Sequence, residues 1–112
     1  MKINDLANAL KMTVICPGKD GAEITCGYTS DLLSDVMANA EEGCALITIQ
    51  AHVNTIAVAG LAGAAAVIIC HNHAVPSDME EAARREGVAV LKTEHNQFTA
   101  SHLVHDLLSG KT

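Results

Sequence analysis

The sequence predicts an α/β fold: a single three-layer domain with a mainly parallel sheet of about five short strands and helices on both faces. Three observations carry this expectation. Gly43, Gly63 and Gly87 each precede an apolar run with strand character, namely CALITIQ, AAAVIIC and VAVLKT. Segments of helical character separate those runs, so a helix-to-strand unit repeats along the chain. The runs are continuously apolar rather than alternating, which is the pattern of strands covered on both faces of a parallel sheet.

The elements follow in order. LANAL at 6–10 predicts a short opening helix, and TVIC at 13–16 predicts a strand. PGKDG at 17–21 is turn chemistry, so AEITCGY after it predicts a second strand or a hairpin with the first. TSDLLSDVMANA places Leu32, Leu33, Val36 and Met37 at helical spacing, with Thr29 or Ser30 as N-cap. After the strand at 44–50, Asn54 is suited to cap a short helix through Leu61. After the strand at 64–70, Ser77 and Glu80 have capping-box spacing and Gly87 is a stop signal. A final strand at 88–93 leads to a closing helix, FTASHLVHDLL, capped by Thr99 or Ser101. Right-handed crossovers place the carboxyl ends of the three apolar strands on one edge.

Composition narrows the function. The chain has 112 residues with 49% hydrophobic content, enough for one core and too much for disorder. Tyr28 and Phe98 are the only aromatics, whereas there are 18 alanines, so small side chains do the packing. The net charge is −6 and the two arginines, Arg84 and Arg85, are adjacent. That balance lacks the basic footprint of a nucleic-acid partner, and the scarcity of aromatics removes a stacking platform. Residues 43–77 carry no charged side chain, but their apolar heart at 56–70 falls short of the ~20 residues of a membrane span and contains Gly60 and Gly63. No membrane partner is therefore expected. The opening MKINDLANALKM is interrupted by Asp5 and Asn8 and does not read as a signal peptide. A cytoplasmic location with reduced cysteines follows, and Cys16, Cys26, Cys44 and Cys70 form no CxxC pair.

In open α/β sheets the ligand site lies beyond the carboxyl ends of the strands. Those ends read QAHVN, CHNH and TEHN, and they hold four of the six histidines: His52, His71, His73 and His95. Two kinds of ligand fit such a rim. Imidazoles from His52, His71 and His73 would bind a metal, with Glu94 or a Cys70 thiolate completing the set, although the spacing matches no named zinc motif. Helices starting near Asn54, Ser77 and Thr99 would instead point free N–H groups at an anion such as a phosphate. Loop histidines with no specific role remain the plain alternative. The chain has no GxxxxGK, GxGxxG or GxSxG, which removes the usual phosphate loop, dinucleotide fingerprint and hydrolase elbow. Asp31 and the other early aspartates stand far from the histidines in sequence. The Glu80-Glu81 and Arg84-Arg85 pairs have the spacing of a salt-bridged, solvated helix face.

The order of pieces from AAAVIICHNHAVPSDMEEAARREG to VAVLKTEHNQFTASHLVHDLL resembles a DRTGG domain, with Pro76, Asp78, Gly87, Phe98 and Thr99 where the pattern expects such types. With TSDLLSDVMANA the likeness covers most of the chain, which is expected to be a single such domain over 1–112. The resemblance implies a small α/β domain related to the N-terminal domain of bacterial HPr kinase/phosphorylase. Such domains also occur beside CBS domains and phosphotransacetylases, with a regulatory or ligand-sensing role. The P-loop kinase chemistry belongs to a separate domain, so no enzyme activity is expected. The namesake residues differ: His71-Asn72-His73 stand where the family has Thr-Gly-Gly, and Ala51-His52 near its Asp-Arg. The expectation is thus a non-catalytic regulatory module that binds a small anionic or phosphorylated ligand through His52, Asn54, His71, Asn72, His73, His95 and Thr99. A homodimer is expected from the Ala/Gly-rich apolar surface around residues 57–66. A metal-dependent or phosphohistidine enzyme at His71 or His73, and a purely structural adaptor, are the alternatives.

Overall fold

The fold is given by a computed structural model that describes residues 1–111. It begins with helix α1 (Ile3–Leu10), strand β1 (Thr13–Cys16), strand β2 (Cys26–Thr29) and helix α2 (Leu33–Asn39). Strand β3 (Cys44–Thr48), helix α3 (Val53–Ala62), strand β4 (Ala66–Ile69), helix α4 (Ser77–Glu86), strand β5 (Ala89–Lys92) and helix α5 (Gln97–Leu108) complete it. The strands form one sheet in the order β1-β5-β4-β3-β2, with β1 antiparallel to β5 and every other pair parallel. This is the expected α/β domain with a mainly parallel sheet of five strands.

The topology explains the layers. From β2 to β5 each crossover steps to the next strand in the same direction, so right-handed connections put α2, α3 and α4 on one face. The opposite face is left to α1 and α5. Alternation along the strands divides the core accordingly. Cys44, Leu46, Val67, Ile69, Val88 and Val90 pack with Val36, Ile56, Ala59, Met79 and Ala83 beneath α2–α4. Ala45, Ile47, Ala66, Ile68, Ala89 and Leu91 pack with Ile3, Leu6, Ala100 and Val104 beneath α1 and α5. Every residue of β3 and β4 is buried, as a strand sandwiched between helical layers must be. Gly63 (φ 75°) and Gly87 (φ 71°) close α3 and α4 in the left-handed conformation, which is why these glycines mark the helix-to-strand steps.

The second strand expected in AEITCGY forms as β2, but the hairpin alternative and the predicted caps are corrected. β1 and β2 do not form a hairpin; they lie on opposite edges of the sheet, and β1 pairs with β5 instead. PGKDG turns the chain, but β2 extends the parallel side by pairing with β3. The caps also differ. Leu32, His52 and Pro76 hold the N-cap positions of α2, α3 and α4 without side-chain cap bonds, so Thr29, Ser30, Asn54 and Ser77 do not cap. In α5 the Asn96 side chain accepts from the Thr99 N–H (3.0 Å), which makes Asn96 the cap and Thr99 its donor. No helix among the described residues is long and apolar enough to cross a membrane.

Candidate functional site

Parallel pairing brings the carboxyl ends of β2, β3, β4 and β5 to one rim, and α4 and α5 then leave it toward opposite faces. The loops after β4 and β5 therefore diverge, which is the switch geometry that opens a crevice in an α/β sheet. At this switch Cys70, His71, Asn72 and His73 make a tight turn. His71 (φ 60°) and Asn72 (φ 55°) are both left-handed, the φ signature of a type I′ turn. The His73 N–H closes the turn onto the Cys70 carbonyl at 3.3 Å. Backbone bonds tie it to the neighbouring loop: the His71 N–H donates to the His95 carbonyl (2.7 Å) and the Asn72 N–H to the Thr93 carbonyl (2.9 Å). The His71 and His73 rings meet edge-on with centroids 6.2 Å apart. His71, Asn72, His73 and His95 are all exposed.

A second polar cluster occupies the β2–β3 side of the rim, centred on Asp31. Its Oδ1 accepts from the Thr48 hydroxyl (2.8 Å), the Ile49 N–H (2.9 Å) and the Gln97 amide (3.0 Å). Desolvation pushes the Asp31 carboxyl up, but these three donors outweigh it and hold it below the ordinary carboxylate value. Gln50 donates to the Asp31 carbonyl (3.1 Å) and pairs through Oε1 with His52 Nε2 (3.1 Å). Among the described residues no buried side-chain polar atom lacks a partner. Sequence distance concealed Asp31, because the loop after β2 is remote in sequence from the histidines yet shares their edge.

The predicted residues thus divide. His71, Asn72, His73 and His95 come together at the β4–β5 switch. His52 lies on the same rim with Gln50 and Asp31, and among the described residues no hydrogen bond joins it to the other three histidines. Asn54 is exposed in the first turn of α3, and Thr99 is half-buried in the first turn of α5. His52, His71 and His73 do not assemble a ligand set: among the described residues no group of three His, Cys, Asp or Glu is placed to hold a metal ion. Cys70 does not complete one either. Its side chain is fully buried in the core under α1 and α5, and desolvation pushes its thiol up to about 11, far from the thiolate form a metal requires.

Beside the switch, a cleft of about 440 Å³ opens at the end of β5. Lys11, Asn72, Lys92, Glu94 and His95 line it. The two lysines were not anticipated, although a lysine ending an apolar strand is a legible signal. Another groove of about 450 Å³ runs between the edge strand β2 and α5, lined by Gly27, Ser101 and Leu108 among others, and contains none of the seven predicted residues.

A mainly parallel sheet with a polar carboxyl rim and divergent loops defines a small α/β domain with a crevice at its strand ends. A family model for the DRTGG domain matches residues 5–107, and the chain belongs to the DRTGG domain family. Among solved structures it is similar to the CBS and DRTGG domains of the regulatory region of Clostridium perfringens pyrophosphatase, in complex with the activator diadenosine tetraphosphate. The TM-score is 0.72 at 18% identity, over 92% of this chain and 45% of that one. This chain therefore spans less than half the length of that region. None of the curated proteins compared matches the chain.

Proposed function

We propose that this chain is a non-catalytic regulatory module that takes a small anionic or phosphorylated ligand at the carboxyl rim of its sheet. The observation that carries this is the β4–β5 switch, where α4 and α5 diverge and the His71–His73 turn is stitched to the His95 loop. Two adjacent left-handed residues without glycine cost roughly 1–2 kcal/mol each, a strain that folded proteins keep where a backbone shape matters. His71, Asn72, His73 and His95 form the contact set at the switch, with His52, Asn54 and Thr99 along the same rim. The analogy with the Clostridium regulatory region, whose activator is a dinucleoside polyphosphate, supports a phosphorylated ligand. Within that proposal the module acts in the cytoplasm as a homodimer, with the uncharged α3 surface at Ala57, Gly60 and Leu61 as the contact; light scattering of the purified chain checks the dimer.

Thermal unfolding in the presence of diadenosine tetraphosphate, a nucleoside triphosphate and ribose 5-phosphate tests the proposal. A ligand held only by the folded state adds about 2.7 kcal/mol at a hundredfold excess over its Kd. The expected result is a raised Tm with at least one of these compounds, reduced in the His71→Ala/His73→Ala double variant. An unchanged Tm with all three rules the proposal out.

A further inference from the structure

We propose that the cleft at the end of β5 is a phosphate-monoester site in which Lys11 and Lys92 hold the dianion; the inference rests on the ligand-module function proposed above and names its chemistry. The argument starts from charge. The chain carries thirteen acidic residues and only five lysines. Of the seven lysines and arginines, Lys2 and Arg84 are neutralised by carboxylates, pairing with Glu23 (3.5 Å) and Glu80 (3.4 Å). Among the described residues Lys11, Lys19, Arg85, Lys92 and Lys111 have no carboxylate within salt-bridge distance, and two of these five, Lys11 and Lys92, line the same cleft at the rim.

Their placement is fixed by the fold rather than by chance on a mobile surface. Lys92 is the last residue of β5, paired in register with Thr13 on one side and Ile69 on the other. It is only half-exposed. Lys11 is the left-handed C-cap of α1 (φ 56°), and its own N–H is bonded to the Asn8 carbonyl. Both lysines therefore project from rigid backbone that meets at the β4–β5 switch. Asn72 adds a carboxamide and His95 an imidazole to the same wall. Glu94 is the one carboxylate lining the cleft, and it opposes an anion. A volume of about 440 Å³ is more than an isolated oxyanion fills and suits a small phosphorylated metabolite. No Phe, Tyr or Trp lines the cleft, so a phosphate and hydroxyl groups, rather than a base stacked on a large ring, are the features it is equipped to recognise.

The test is titration of the ¹⁵N-labelled full chain with inorganic phosphate, ribose 5-phosphate and ribose, followed by amide shifts. Ribose 5-phosphate and phosphate are expected to move the amides of Lys11, Asn72, Lys92, Glu94 and His95, while ribose leaves them in place. Lys11→Gln and Lys92→Gln should each weaken ribose 5-phosphate about tenfold, the size of a lost charge-assisted hydrogen bond. Glu94→Gln should tighten it, and added KCl should weaken it. Both lysines are at the surface, and retained circular dichroism confirms folding of the variants. Shifts confined to Asp31, Gln50 and His52 would overturn the cleft while leaving a rim ligand standing. Affinity unaffected by either lysine variant would overturn it equally. Silence of the whole rim toward both phosphorylated probes would overturn the cleft together with the phosphorylated-ligand proposal.

Discussion

Replacing His71 by glycine should make the protein more stable, although it deletes a side chain from the candidate site. His71 holds a left-handed φ of 60°, which costs a residue with a Cβ roughly 1–2 kcal/mol. Its exposed ring contributes little burial, so few contacts are lost. Glycine relieves the strain but gives the unfolded chain more freedom, an offset of about 0.5–1 kcal/mol. The net gain is about 0.5–1 kcal/mol. Unfolding entropies near 2.1 cal/mol/K per residue convert that, over 112 residues, to a Tm increase of about 2–4 °C. Asn72→Gly should gain less, because asparagine tolerates this conformation better than histidine does. His73→Gly is the internal control. His73 is not left-handed, so only the entropy term operates and the variant should lose about 0.5–1 kcal/mol. Thermal unfolding followed by far-ultraviolet circular dichroism reads all three. A lowered Tm for His71→Gly, or losses of equal size for both histidine variants, would refute the assignment of strain to this turn.

Asp31→Asn should cost about 1 kcal/mol in denaturant unfolding, because it keeps an Oδ1 acceptor for the three donors but removes the charge that strengthens their bonds. The depressed pKa of Asp31 also fixes a pH dependence. The unfolded chain binds that proton more readily, so its contribution is present above about pH 4 and is lost as the pH falls through the lower folded-state value. Tm of the parent chain should therefore fall more steeply below about pH 4 than that of Asp31→Asn; parallel curves would contradict this. Burial pushes the Cys44 and Cys70 thiols up to about 11, and Cys16 is also buried, so a disulfide reagent at neutral pH should modify Cys26 quickly and the other three only on unfolding. Rapid modification of more than one thiol in the native protein would show that the core is open. Gly60→Ala should stabilise the monomer by about 0.5–1 kcal/mol, since it lies inside α3 and an added Cβ meets nothing within 4 Å. Gly87→Ala should instead cost about 1–2 kcal/mol, because its φ is +71° and the Cβ would lie 2.7 Å from Lys19 Cγ. Calorimetry on the pair should show opposite signs, and equal signs would contradict the geometry.

The parallel core was legible because its signals are local. A strand that must be buried on both faces is written as an uninterrupted apolar run, and a glycine that ends a helix stands directly before it. The edge strands were less legible. β1 pairs with β5 across more than seventy residues, and nothing local to TVIC encodes that partner, whereas PGKDG beside it signals a turn that also suits a hairpin. The caps were misplaced for a similar reason. Asn54, Ser77 and Thr99 are cap types, but each already lies within its helix, and the caps are His52, Pro76 and Asn96. At the site, the strand-end histidines were readable as a rim once parallel pairing was assumed. Their division into a His52 side and a His71–His95 side depends on loop conformation, which spacing does not carry. Asp31, Lys11 and Lys92 were missed because the residues that join them at the rim come from the sheet order β1-β5-β4-β3-β2.

Crystals soaked with ribose 5-phosphate give the most direct view of where the ligand goes. The account predicts a phosphoryl group in the cleft between the β4 and β5 loops, with oxygens ~3 Å from the Lys11 and Lys92 Nζ atoms. The same group bound instead in the groove between β2 and α5, with the β4–β5 cleft empty, would contradict it.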